Sequence, residues 1–229
     1  MTFSHEEQQK KWDEEHAEML GIPNMDSAKT SGAVRDFGTF LKEQGSDLVG
    51  VEMGCGKGRH VMYFAEESYI AEMTGFDFSG VAVTEASKRA QNTPKARFIE
   101  MDATKRWDFE DSAVDFVLDS MALTDIESLE GRTAAIAEAY RILKPGGYYL
   151  LYALSPEDEY HHAQSLIAPG GEAHSILRPT GKYEKMFSAS ELEDLFSPFS
   201  LVKEKRIQKT YNHEGKDYQC KHWWRIYQK

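Results

Sequence analysis

The chain has 229 residues, of which 41% are hydrophobic, 12% aromatic and 28% charged, with a formal net charge of −11. That length and apolar content suffice for a full three-layer α/β core and exclude a disordered chain. The acidic balance disfavours a partner held through phosphate contacts, so a small molecule is the expected ligand and nucleic acid is not. The basic cluster Lys203, Lys205, Arg206 and Lys209 reads more simply as the solvated face of a strand. No apolar run approaches the roughly 20 residues of a membrane span. The acidic start, MTFSHEEQQKKWDEEHAEML, lacks the basic-then-apolar pattern of a secretory signal. A cytoplasmic protein with Cys55 and Cys220 as free thiols is expected.

Two helices are predicted first. Ser4 with Glu7 makes a capping box for a segment running to about Leu20, ended by Gly21, Pro23 and Asn24. A second helix from about Thr30 carries Val34, Phe37, Phe40 and Leu41 on one face and stops at Gly45. From Asp47 short apolar runs alternate with helical stretches, which predicts strands at about 48–53, 72–77, 97–101, 114–119 and 147–153. Helices are expected at about 58–67, 79–91 and 131–143. Right-handed crossovers then give a doubly wound, mostly parallel sheet with helices on both faces.

The stretch 155–187, with prolines at 156, 169 and 179 and the Gly170–Gly171 pair, reads as an irregular excursion. Ser188 with Glu191 caps a short helix to about Phe196. Strand-like segments at about 199–208 and 218–228 flank turn residues Asn212 to Gly215 and predict a C-terminal antiparallel hairpin, for seven strands in all. One domain is expected over 1–229, with a helical lid or collar (1–45), a ligand-binding core (46–154), a substrate-side insertion (155–187) and the closing helix and hairpin (188–229).

The strongest local signal is VGVEMGCGKGRH, a strand followed by Gly54-Cys55-Gly56-Lys57-Gly58 and a helix. Alternate glycines let the chain turn sharply and bring backbone amides against a nucleotide-like ligand. The third glycine comes one residue too early for a dinucleotide fingerprint, and the Gly-Lys-Ser/Thr ending of a phosphate loop is absent. Asp77, 23 residues after Gly54, ends the second strand, where an acid can accept both hydroxyls of a ribose. Asp102 ends the third strand one βα unit later, and Asp119 ends the fourth. Each acid has a plainer alternative: Asp77 capping the helix that starts near Ser79, Asp102 capping a turn at Thr104, Asp119 binding a loop amide.

The pieces EMGCGKG, GFD, MDA, VDFVLDSMAL and LKPGGYYLL occur in that order between Glu52 and Tyr152, and this run resembles a class I S-adenosylmethionine-dependent methyltransferase. The resemblance implies a Rossmann-like fold with S-adenosylmethionine as cofactor. It implies that Glu52, Met53, Gly54, Cys55, Gly56 and Gly58 face the methionine half of the cofactor. It further implies that Asp77 binds the ribose, Phe78 lies beside the adenine, Asp102 and Ala103 read its edge, and Asp119 and Ser120 lie nearest the sulfonium. Trp12, with His16 four residues on, is placed to close over the cofactor or merely to pack on the core.

SMAL follows the fourth strand where enzymes acting on adenine or glutamine amino groups carry a Pro-Pro segment, which demotes those classes. VDFVLDSMALTDI and LKPGG are similar to small-molecule members that methylate sulfur and other soft nucleophiles, and would also suit a protein lysine methyltransferase. A non-catalytic cofactor-binding module is the remaining alternative. His161, His162 and His174 are the candidates for a general base, and they share no ligand spacing with Cys or carboxylates that would predict a metal.

Overall fold

The computed structural model describes residues 5–18 and 29–229. In chain order these form helix α1 (His5–Glu18), helix α2 (Gly32–Leu41), strand β1 (Leu48–Met53), α3 (Arg59–Glu66), β2 (Ile70–Asp77), α4 (Gly80–Arg89), β3 (Ala96–Glu100) and β4 (Val114–Ser120). A 3-10 turn (Ala122–Asp125) leads to α5 (Leu129–Ile142) and β5 (Leu143–Leu154), then α6 (Glu159–Ile167), β6 (Ser175–Leu177), β7 (Tyr183–Lys185), α7 (Ala189–Leu195), β8 (Ser200–His213) and β9 (Lys216–Gln228). Ser4, Gly21, Pro23 and Asn24, the expected boundaries of the first helix, lie outside the described residues.

Seven strands form one sheet in the order β3-β2-β1-β4-β5-β9-β8. β1 to β5 are parallel, and β9 runs against both β5 and β8. The strand order reverses between β1 and β4, so a crevice opens beyond their carboxyl ends. β1 and β4 are buried almost throughout because helices cover both faces. On one face Val34 and Phe37 of α2 and Val61 and Phe64 of α3 pack on Phe116, Leu118 and Leu150. On the other, Ala135, Ile136 and Ala139 of α5 and Leu192 of α7 pack on Val51, Val117 and Leu151.

Three expectations need correction. β5 begins at Leu143, not near 147, because Lys144 to Gly147 form a bulge in the ladder with β4, with Gly146 at φ 81°. The 155–187 stretch is not irregular: Asp158 caps α6 by accepting from the His161 amide, and β6 and β7 make a small antiparallel hairpin. The terminal hairpin turns on Glu214 and Gly215 alone, both left-handed, and its strands absorb Asn212 and His213. The cap of α7 is as expected, with Ser188 and Glu191 each bonding the other's amide. Three residues of the basic cluster on β8 are matched within the chain: Lys203 and Lys205 lie over Phe40 and Trp224, and Arg206 stacks on Trp223 while pairing with Glu157.

Candidate functional site at the strand tips

β1 leaves the sheet through three left-handed glycines, Gly54, Gly56 and Gly58. A Cβ on Gly54 would stand 2.5 Å from Ala122 Cβ, and one on Gly58 2.5 Å from the Phe98 ring, so the turn is wedged between the β4 tip and β3. Cys55 donates its amide to Phe76 O at 2.9 Å, and its thiol packs against Gly75 and Val61, where burial pushes it well above its ordinary pKa. Only the backbone of Cys55 is offered to the crevice. Met53 likewise turns its side chain into the core.

Glu52 is 2% exposed and holds His60 Nδ1 at 2.7 Å through one oxygen, while its other oxygen, Oε2, has no hydrogen-bond partner. Asp77 accepts from the Gly56 amide and the Ser79 amide, each at 2.9 Å. Burial outweighs both bonds and raises its pKa to about 6. Asp119 accepts from Tyr149 Oη at 2.9 Å and the Leu123 amide at 3.2 Å, and burial raises it to about 7. Ser120 is half-buried beside it, in register with Tyr152. Asp102 bonds the Thr104 amide and hydroxyl, both at 2.8 Å, so the turn-capping alternative holds for it. The Ala103 carbonyl accepts from Trp107 Nε1.

Helix α1 lies across this crevice and is tied down on both sides. Gln9 donates to the Phe78 carbonyl at 2.6 Å, and Ser79 Oγ donates to Asp13 at 2.5 Å. On the other side Gln8 bonds Gly181 and Tyr183, Glu15 forms a buried ion pair with Lys182, and the same ammonium sits 4.0 Å from the Trp12 ring centroid. The His16 ring is 3.5 Å from where a Gly56 Cβ would be.

Residues 51–147 match the family described as "Methyltransferase domain". A demethylmenaquinone methyltransferase of Leptospira interrogans is 33% identical over 104 residues, a stretch covering 44% of this chain and 40% of that relative. A SAM-dependent methyltransferase structure from Methanosarcina mazei superposes with a TM-score of 0.71 at 23% identity, covering 83% of this chain and 96% of that one. The Burkholderia thailandensis 1,6-didemethyltoxoflavin-N1-methyltransferase, with 1,6-didemethyltoxoflavin and S-adenosylhomocysteine bound, gives 0.70 at 16% identity, covering 100% and 91%. The chain has the fold of the class I methyltransferases. The matched stretch spans the glycine turn, Asp77, Asp102 and Asp119, while α1 and the β6–β7 hairpin lie outside it.

The three histidines do not converge on this crevice. His162 and His174 are exposed, the latter at a left-handed φ of 56°. His161 turns inward, with Nδ1 2.7 Å from Asp158 and Nε2 3.0 Å from Arg178. Sequence reasoning missed Asp158, Gln9 and Asp13. Among the described residues no group of His, Cys, Asp or Glu could hold a metal ion, and no helix is long and apolar enough to cross a membrane.

Proposed function

We propose that the chain transfers a methyl group from S-adenosylmethionine to a small-molecule acceptor. The observation that carries this reading is the charge of the crevice. Asp77 and Asp119 are buried acids whose leading charged neighbour is a third acid, Glu52. Such a cluster suits a ligand with an ammonium and a cationic sulfur and no phosphate. Glu52 Oε2 is a buried carboxylate oxygen still open to a donor, which fits the ammonium.

When bound, S-adenosylmethionine supplies an electrophilic methyl group. The chain's own part is to bind, align and keep water out. In this reading Glu52 and the backbone of Met53, Gly54, Cys55, Gly56 and Gly58 hold the amino-acid end. Asp77 takes the ribose, and Phe78, Asp102 and Ala103 border the base. Asp119 and Ser120 stand at the reacting end, and α1 with Trp12 closes the top. The whole chain acts as one unit, with 1–45 and 155–187 shaping the acceptor side. A soft nucleophile such as a thiol is the acceptor favoured by the likeness of VDFVLDSMALTDI and LKPGG to small-molecule members that methylate such nucleophiles.

Calorimetric titration with S-adenosylmethionine, S-adenosylhomocysteine, NAD and ATP, followed by product release across thiols, phenols, amines and carboxylates, tests the proposal. Binding of the first two only, with turnover on one acceptor class, supports it. Tight NAD binding in the same crevice, or cofactor binding with no turnover on any class, would sink the enzyme reading.

A further inference from the structure

A second set of polar residues stands at the carboxyl end of β5. Tyr152 Oη lies 2.8 Å from His222 Nδ1, and His222 Nε2 lies 2.8 Å from Asp158 Oδ2. Asp158 Oδ1 is in turn 2.7 Å from His161 Nδ1. Asp158 and His222 are 0% and 1% exposed. The bonds assign the protons. Arg178 has only donors to offer, so His161 Nε2 accepts from it and His161 Nδ1–H donates to Asp158. Asp158 accepts from His222 Nε2–H, which leaves His222 Nδ1 to accept the Tyr152 hydroxyl proton. Burial works against an ionised Asp158, but its bonds to His161 and His222 outweigh that and hold it well below the usual carboxylate range. Burial also lowers the His222 pKa, with Lys209 and His161 acting the same way and Asp158 opposing.

Tyr152 faces the crevice side of this set. Glu52 pairs with Leu118 and Leu118 with Leu150, so Tyr152, two residues beyond Leu150, shares the sheet face of Glu52. It is half-buried and its carbonyl holds the Met121 amide at 2.8 Å; burial raises its pKa to about 12, with Asp158 and Cys220 acting the same way and Arg59, just behind the glycine turn, opposing.

We propose that Tyr152 is a catalytic residue that takes the proton of a protic acceptor, a thiol or a phenol, with His222 and Asp158 as its positioning residues. This rests on the methyl-transfer reading above. The acceptor's X–H bond breaks and its proton passes to the phenol oxygen as the Tyr152 O–H proton moves to His222 Nδ1. The electron pair left on X forms the new bond to the methyl carbon, and the pair of the breaking C–S bond stays on sulfur. The imidazolium of His222 is held against Asp158 until its proton returns to solvent.

The test uses the full chain and two measurements. Nitrogen NMR of the histidine rings should find His222 as the Nε2–H tautomer, with its Nδ1 resonance shifting in Tyr152→Phe; an Nδ1–H tautomer overturns the relay whatever the activity. With the thiol or phenol the wild type turns over best, Tyr152→Phe and His222→Gln should lower kcat by about 10²–10⁴-fold while the Kd for S-adenosylmethionine is unchanged. The pH profile of kcat should lose its acidic limb in His222→Gln, which a merely structural residue would not cause. A kcat within twofold of wild type in Tyr152→Phe overturns the proposal. Failure of the wild type to bind S-adenosylmethionine would sink the methyl-transfer reading instead, and the tautomer would still decide the relay.

Discussion

The Gly56 amide donates to Asp77 Oδ2 at 2.9 Å, so the turn after β1 and the acid ending β2 move as one body. Because Ser79 caps α4 with its own hydroxyl, removing the Asp77 carboxylate leaves that helix capped. Asp77→Ala should therefore weaken S-adenosylmethionine binding by about 1–3 kcal/mol with the fold retained. Calorimetry and a melting curve on the same sample check this. Unchanged affinity with a collapsed Tm would make Asp77 a purely structural brace.

The raised values of Asp77, about 6, and Asp119, about 7, set a pH dependence. Both folded-state values lie above the ordinary 3.8, so the folded chain holds protons that the unfolded chain has already lost. Their contribution to stability is fully present below that ordinary value and is lost as pH rises through 6 to 7. A cationic ligand reverses the balance by favouring the ionised acids. The rise in Tm on adding S-adenosylmethionine should therefore grow from about pH 5.5 to about pH 7.5, with proton release seen by calorimetry in buffers of different ionisation enthalpy. A Tm rise that is the same across this range would contradict the assignment of these acids to the cofactor site.

Lys182 joins α1 to the β6–β7 hairpin through Glu15 and Trp12. Lys182→Met leaves Glu15 buried without its cation, and α1 can escape that cost by lifting off. The expected result is lost hydrogen-exchange protection over residues 5–18, weaker cofactor binding and a Tm within a few degrees of wild type. Retained protection with a large fall in Tm would make α1 part of the core.

Gly54 and Gly215 are both left-handed, at φ 64° and 80°, but only Gly54 is crowded. Alanine at Gly215 should cost about 1–2 kcal/mol from the backbone alone. Alanine at Gly54 should cost more and abolish cofactor binding, because its Cβ would displace Ala122. Equal losses in the two variants, read by denaturant unfolding, would show the turn to be looser than its geometry implies.

The parallel core was legible because β1, β2 and β4 are short, mostly buried runs closed by a glycine or an acid, and burial on both faces leaves little other choice. The start of β5 was not, since Pro145-Gly146-Gly147 has turn chemistry and only the register with β4 makes it a bulge. α6 was hidden because it has no fully buried residue and so no apolar stripe. The hairpin after it depends on distant partners, Arg132 to Glu172 and Lys182 to Glu15. At the site, Asp77 and Asp119 stood out as strand-terminal acids. Asp158 did not, because what gives it meaning is His222, 64 residues away.

β9 is the strand that runs against the others. In a wholly parallel sheet the rim around the crevice is furnished only by residues where strands finish; a reversed strand delivers residues from its first half to the same rim. Tyr152 sits opposite Trp224, and its diagonal neighbour on that face is His222. A slip of one residue in this pairing would turn His222 to the far side of the sheet and leave the phenol facing carbon. The ladder between β5 and β9 thus sets the tolerance of the proton path, and an insertion in the hairpin turn at Glu214 and Gly215 that shifts β9 would disconnect it without touching any of its residues.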